Sequence, residues 1–554
     1  MSKEKSSPQV KTKEKPNTNS LGFFATVNQF LDTHSIKIFA FIMAITALYA
    51  YWLFDYRISM LGDDSAYLMR ASDFVHKGIF PSFQGPMFPI VISFVIKSIG
   101  FKLFYFKLVS VISLLGSVAL FYFGLRNRIP STLLFVTLLV YALNVTIHYY
   151  GSQTFSEAFY LLAQSFVIFV FCQLLIEKVD IDIKKDGWKF LLLGLSLLIL
   201  VQTRSVGYSA FMAIVLFYLL QKNFKALTLC IISFALCFGI FAAYKSMYKE
   251  DNTASQLKVL LQKDAYDATK GNEDISGFIT RFTDNSQLYL SKEFPGILNW
   301  KTPSEEDLQK PPLEQTSGLL TLFLYIVFFA ALFYSFKDSK TMLFLSMYAA
   351  IFLGIVFIIL QTSWDQDRLI ITAVPLMVLI LFYVLYYLLQ NKLPAAFQFG
   401  FYVIAAVILF LNFSKTQTKV SEFSEIQEKN KEGDLLYGFP SEWHNYLEMC
   451  QWIDQNLSKE KTRVVCRKPE MAFVYSNGRE FDGFYRSPDK NQTADSILTL
   501  MKNRKITHVL QDQIFGTIGN YLQIINQQYP QKIKVVHSIG EQNDRPATLI
   551  EIQY

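Results

Sequence analysis

Apolar residues fall in long blocks separated by polar breaks, at about 36–54, 102–124, 131–149, 156–176, 189–203, 206–221, 226–245, 316–336, 341–362, 369–389 and 395–412. Most blocks have the roughly 17–25 residues that cross a bilayer core. The pattern predicts an α-helical polytopic membrane protein with about eleven transmembrane helices. On length alone the two short blocks flanking Arg204 can be merged into one helix. The loop charges argue against merging. Arg126 and Arg128, then Lys178, Lys184, Lys185 and Lys189, then Lys222 and Lys225, then Lys337 and Lys340, and finally Lys392 fall between alternate pairs of blocks. Basic loops stay in the cytoplasm, and only eleven separate spans keep all of these on one side with the Lys-rich N-terminus. The opposite side then receives Asp63, Asp64, residues 150–157, Arg204, the loop 246–315, residues 363–368 and everything after 412.

Three sections follow from this pattern. Residues 1–35 are expected to form a disordered cytoplasmic tail, residues 36–414 a membrane module with outer loops at 55–101 and 246–315, and residues 415–554 an extracytoplasmic domain. The last section is polar. Strand-like runs "TRVVC", "ITHVLQ", "KIKVVHSI" and "ATLIEIQ" alternate there with helix-like stretches such as "SEWHNYLEMCQWIDQNL", which predicts a small α/β domain.

Composition agrees with a membrane protein: 52% of the 554 residues are hydrophobic, including 52 Phe and 30 Tyr. A soluble chain of this length would divide into domains with polar surfaces between them. The net charge of +7 is accounted for by cytoplasmic loops, so no nucleic-acid partner is expected. The segment "MSKEKSSPQVKTKEKPNTNS" does not read as a signal peptide, and the first block is expected to be a retained anchor. No internal repeat stands out, which counts against an inverted-repeat transporter. Cys172, Cys230 and Cys237 lie in apolar blocks as packing residues. Cys450 and Cys466 lie in the outer domain, where an oxidising compartment would let them pair.

The chemistry begins at "ISMLGDDSAYLMRASDF", residues 58–74, where Asp63 and Asp64 stand side by side just beyond the first block. One reading is a helix start, with an Asp cap and an acid in the first turn after Gly62. The other is functional, because adjacent acids shift each other's pKa and one can serve as a general base or help hold a cation. Arg204 and Arg368 are outward basic residues in short linkers, suited either to lipid headgroups or to bidentate binding of a phosphate. Glu157 at a block edge is read as a helix-start acid or a site residue. His148, Tyr149 and Tyr150 are read as interfacial aromatics. Arg467 and Lys468, in "CRKPEMAFVYSNGREF", are read as a solvated basic turn, with contact to a substrate as the alternative.

The order of these residues resembles the GT-C glycosyltransferases, particularly protein O-mannosyltransferases and lipid A aminoarabinose transferases. D-D-x-x-Y with Tyr67 stands where that group has an Asp-Glu pair and a nearby aromatic. Gly85-Pro86 and Pro89 stand where Pro-Pro is common, and Lys107 stands where Arg is common at the start of the next span. "GSQTFSEAFYLL" supplies Glu157, "LVQTRSVGYS" supplies Arg204, and "SWDQDRLIITAVP" supplies Arg368 and Pro375. The resemblance implies a polyprenyl-phosphate sugar donor, an envelope acceptor and a bacterial cytoplasmic membrane. It also implies Asp63 or Asp64 as base, Lys107, Arg204 and Arg368 at the donor phosphate, and Tyr67 and Glu157 in the substrate pocket. No cofactor is required by this reading, and a divalent cation is left open. A transporter or flippase and a noncatalytic envelope-assembly subunit are the competing expectations.

Overall fold

The computed structural model of the chain describes residues 22–250, 256–264, 270–300, 316–362, 364–485, 487–488, 492–514, 516–541 and 544–554. Every expected apolar block is helical. Among the described residues, nine helices are long and apolar enough to cross a membrane. The block 131–149 is a bent pair, Ser131–Leu143 and Val145–Ser152, inclined at 60°, and would make a tenth span. The remaining block is the shorter apolar helix Ser205–Leu220. The protein is a multi-pass membrane protein of α-helical type with a small C-terminal sheet.

The bend has a local cause. Asn144 takes an extended conformation between the two helices, and its side-chain oxygen accepts the Ile147 N–H at 3.0 Å. Its amide donates to the Ile297 carbonyl at 2.5 Å and to Asn412 at 2.7 Å. A short polar side chain thus caps the second helix and ties the break to two distant segments.

Two boundaries differ from the sequence expectation. Residues 1–21 lie outside the described residues, but Phe23–Thr33 is an ordered helix. Phe24 is buried against Tyr386 and Phe401, and Asn28 accepts the Thr132 N–H at 2.8 Å. At the other end the last apolar block does not stop at 412. It continues as one 34-residue helix, Gln398–Lys431. Residues 413–431 contain neither Gly nor Pro, and the helix ends just before Gly433, whose φ is +111°.

The C-terminal sheet has five strands: β1 (Val464–Cys466), β2 (Asp482–Gly483), β3 (His508–Gln511), β4 (Ile533–Ile539) and β5 (Ala547–Ile552). Their order is β2-β1-β3-β5-β4, with β1 parallel to β2 and β3, and β5 antiparallel to β3 and β4. Side chains alternate between faces along each strand. Val465, Val509 and Ile550 pack on Ile497, Met501 and Ile525. On the other face Val464, Cys466, Leu510 and Leu549 join a core that also holds Tyr67, Leu68, Ala71 and Phe88. The C-terminal domain therefore shares its core with the loop helices Asp63–Lys77 and Met87–Ile99. Cys450 and Cys466, whose pairing the sequence left open, sit in that core as free, buried thiols. They pack as small apolar side chains.

Candidate active site

Four residues from distant parts of the sequence converge beside the C-terminal domain. Arg368 donates from Nε to Glu157 Oε1 at 2.7 Å and from a terminal nitrogen to Asp63 Oδ2 at 2.7 Å. Arg204 donates to the same Glu157 oxygen at 2.7 Å. Glu157 is fully buried and Arg368 almost so, whereas the Asp63 side chain is 48% exposed. The Arg368 guanidinium also lies 4.6 Å from the centre of the Phe155 ring. In the chain Asp63–Arg368–Glu157–Arg204 the two middle members are buried, with the accessible Asp63 at one end and the partly exposed Arg204 at the other.

Local backbone explains the placement. Gly62 has φ +81° and turns the chain so that Asp63 opens the helix Asp63–Lys77. Neither acid is the N-cap, so the Asp cap expected from sequence is replaced by a glycine. Glu157 is the first residue of its helix. Arg204 occupies an extended break between Ile183–Thr203 and a short 3₁₀ turn, and Arg368 lies in the 3₁₀ turn Asp367–Leu369. Gly85, with φ +99°, lets the first loop reach the helix end before Arg204, since a Cβ there would meet the Thr203 carbonyl oxygen at 2.2 Å.

Asp64 has a different environment. It is fully buried, with Oδ2 accepting the Ser59 N–H at 2.8 Å and Oδ1 accepting the Ser65 N–H at 3.0 Å. Burial pushes its pKa up to about 7, against the opposing pull of Lys107 and of the two backbone donors. The folded chain therefore holds this proton more tightly than the unfolded chain. Stability from the protonated carboxyl is complete below the ordinary value near 4, and it is lost as pH rises through about 7. Asp64→Asn removes the titration. In detergent, its melting temperature should gain on that of the parent between about pH 4 and 7, then run parallel above. A difference that does not vary with pH would refute this account.

Lys107 is not brought into the Asp63 cluster. It is fully buried and donates to the Ser152 carbonyl at 3.2 Å and to Gln153 Oε1 at 2.7 Å. Gln153 in turn donates to Asp55, which pairs with Arg57. Tyr67 is buried, with its hydroxyl 3.2 Å from Ser156 Oγ, and it braces the residue before Glu157.

Several neighbours were not legible as site residues. Tyr149 and Tyr150, read as interfacial aromatics, donate to Ser59 Oγ at 3.2 Å and to Asp367 Oδ1 at 2.8 Å. His148 is buried, its Nε2 2.8 Å from the Ala142 carbonyl. Lys468 is half-buried rather than fully solvated. Its ammonium donates to the Leu61 carbonyl at 3.0 Å, beside the acid pair. The signal available for these residues was adjacency to a motif, which does not specify a contact.

Among the described residues, no group of three or more His, Cys, Asp or Glu side chains is arranged to hold a metal ion. Asp63 and Glu157 are engaged by arginines, and Asp64 accepts two backbone N–H groups.

No protein-family model and no curated protein sequence matches the chain. Solved structures do match it. ArnT from Cupriavidus metallidurans in the apo state superposes with a TM-score of 0.53 and 10% identity, over 92% of this chain and 97% of that one. The same protein bound to undecaprenyl phosphate gives 0.53 and 12% over the same shares. The Archaeoglobus fulgidus oligosaccharyltransferase in complex with Zn and sulfate gives 0.54 and 10%, over 92% of this chain and 72% of that one. The chain shares its fold with these solved structures.

Proposed function

We propose that the protein transfers a sugar from a polyprenyl-phosphate donor to an envelope acceptor, with inversion, at the outer face of a bacterial cytoplasmic membrane. The observation that carries this reading is the accessible Asp63 held on the Arg368–Glu157–Arg204 assembly. The likeness in fold to ArnT bound to undecaprenyl phosphate supports a lipid-phosphate donor.

Asp63 takes the proton from an acceptor hydroxyl or amine as that atom attacks the anomeric carbon. The bond from this carbon to the phosphate oxygen breaks, and the phosphate leaves with the electron pair. Arg204, the more accessible of the two arginines, meets the leaving phosphate. Arg368 fixes the direction of the Asp63 carboxylate. Lys107, with its ammonium engaged on Ser152 and Gln153, is assigned to the frame behind Asp64 rather than to the phosphate. The N-terminus is cytoplasmic and residues 415–554 are outside.

The test uses proteoliposomes supplied with a polyprenyl-phosphate hexose or pentose and an envelope glycolipid extract. Release of polyprenyl phosphate should depend on the extract, and Arg204→Ala should raise the donor KM about 10-fold or more. A C-terminal reporter active only outside the cytoplasm should be active. Release that ignores the acceptor, an unchanged donor KM or a silent reporter would each contradict the reading.

A further inference from the structure

We propose that Lys468 of the C-terminal domain is a positioning residue of the sugar-transfer site, holding the Leu61–Gly62 turn from which Asp63 is presented. The inference rests on the assignment of Asp63 as the base.

Three observations carry it. The first is the contact itself. The Lys468 ammonium donates to the Leu61 carbonyl at 3.0 Å, and a Cβ added to Gly62 would lie 3.0 Å from the same nitrogen. Gly62 is the left-handed residue that starts the Asp63 helix, and glycine has no side chain to restrain it. A hydrogen bond from outside the loop supplies that restraint.

The second is how Lys468 is itself held. It follows β1, at the carboxyl end of a parallel strand, where open α/β sheets carry ligand-facing residues. Its carbonyl accepts the buried Tyr446 hydroxyl at 2.9 Å, and it caps the helix Pro469–Tyr475. Two turns on, the Tyr475 hydroxyl accepts the Ile58 N–H at 3.3 Å, so both edges of the 58–62 turn are tied to one helix of the C-terminal domain.

The third is electrostatic. Burial lowers the pKa of Lys468, and the charges of Asp63 and Asp64 act in the opposite direction. Asp63 and Glu157 balance Arg204 and Arg368 in the cluster, and Lys468 is a further cation directed at the acid pair from another domain. The C-terminal domain is thereby a working part of the site, joined to it through one side chain as well as through the shared core.

The experiment compares the parent with Lys468→Met, which keeps the stem and removes the charge, and with Lys468→Arg, which restores a cation. Glu480→Gln, which breaks the exposed Lys77–Glu480 pair between the same two elements, is the control. In the proteoliposome assay, Lys468→Met should lose about 10–100-fold in kcat with the donor KM within about 2-fold. Lys468→Arg should recover most of the loss, and Glu480→Gln should match the parent. Independently of activity, amide exchange at residues 59–64 should accelerate in Lys468→Met and return in Lys468→Arg. Parental kcat in Lys468→Met, no recovery in Lys468→Arg, or unchanged exchange would overturn the proposal. If the parent transfers no sugar, the function assigned above fails, and exchange at 59–64 alone judges the contact.

Discussion

Asp63→Asn protein is expected to insert, fold and bind polyprenyl phosphate like the parent, while its turnover falls by about 10²–10⁴-fold, the usual contribution of a general base. The substitution is nearly isosteric and leaves Arg368 its second partner, Glu157. The Asn side-chain oxygen can still accept from Arg368, so the loop keeps its geometry while the site loses its base. Asp64→Asn is expected to stay within about 10-fold of parental turnover, because Asp64 is fully buried and directed at the Ser59 and Ser65 amides. The two variants thus separate acids that are adjacent in sequence. Steady-state turnover alongside polyprenyl-phosphate binding decides the matter. An inactive Asp64→Asn beside an active Asp63→Asn would reverse the assignment.

Much of the fold was legible in the sequence because a membrane span needs a long apolar run, and such runs survive without an alignment. All eleven blocks appear as helices, including the short helix after Arg204 that the loop charges required. Four of the five strands of the C-terminal domain were legible from short apolar runs bounded by polar turns. The strand Asp482–Gly483 was not, since two residues carry no alternation. The N-terminal helix was hidden by the polar composition of the residues before it. Its order comes from Phe24 and Asn28 docking on segments more than one hundred residues away.

The site was legible in part. Asp63, Glu157, Arg204 and Arg368 were each singled out by residue type and by position at a block edge, and the fold brings all four together. Lys107 was singled out by the same logic and points instead at Ser152 and Gln153, on the Asp64 side, because sequence does not tell which way a span-start lysine points. The contribution of Lys468 was hidden for a different reason. Its partner is a backbone carbonyl 407 positions away, and a carbonyl leaves no mark in the sequence. Asp63 and Asp64 were not separable either, since one residue of helix rotation decides which acid is buried.

Glu157→Gln is expected to damage stability and donor binding together. Glu157 Oε1 accepts from both Arg204 and Arg368, and the side chain has no exposed surface. Among the described residues Oε2 has no hydrogen-bond partner, so the carboxylate is held mainly through its other oxygen. Removing its charge leaves two guanidiniums converging on a neutral amide in a site closed to water on the Arg368 side. Breaking a buried ion pair by removing one partner costs about 3–5 kcal/mol, because the remaining charge stays buried. Arg204 retains some exposure and relieves part of that cost, whereas Arg368 has only Asp63 left. The melting temperature in detergent should therefore fall clearly below that of Asp63→Asn, which strands no fully buried charge. Binding of polyprenyl phosphate should weaken as well, since Arg204 loses the contact that aims it. A Glu157→Gln protein that melts with the parent and binds the lipid phosphate equally well would mean that the arginines are positioned by their own backbone turns, and the hub role of Glu157 would be lost.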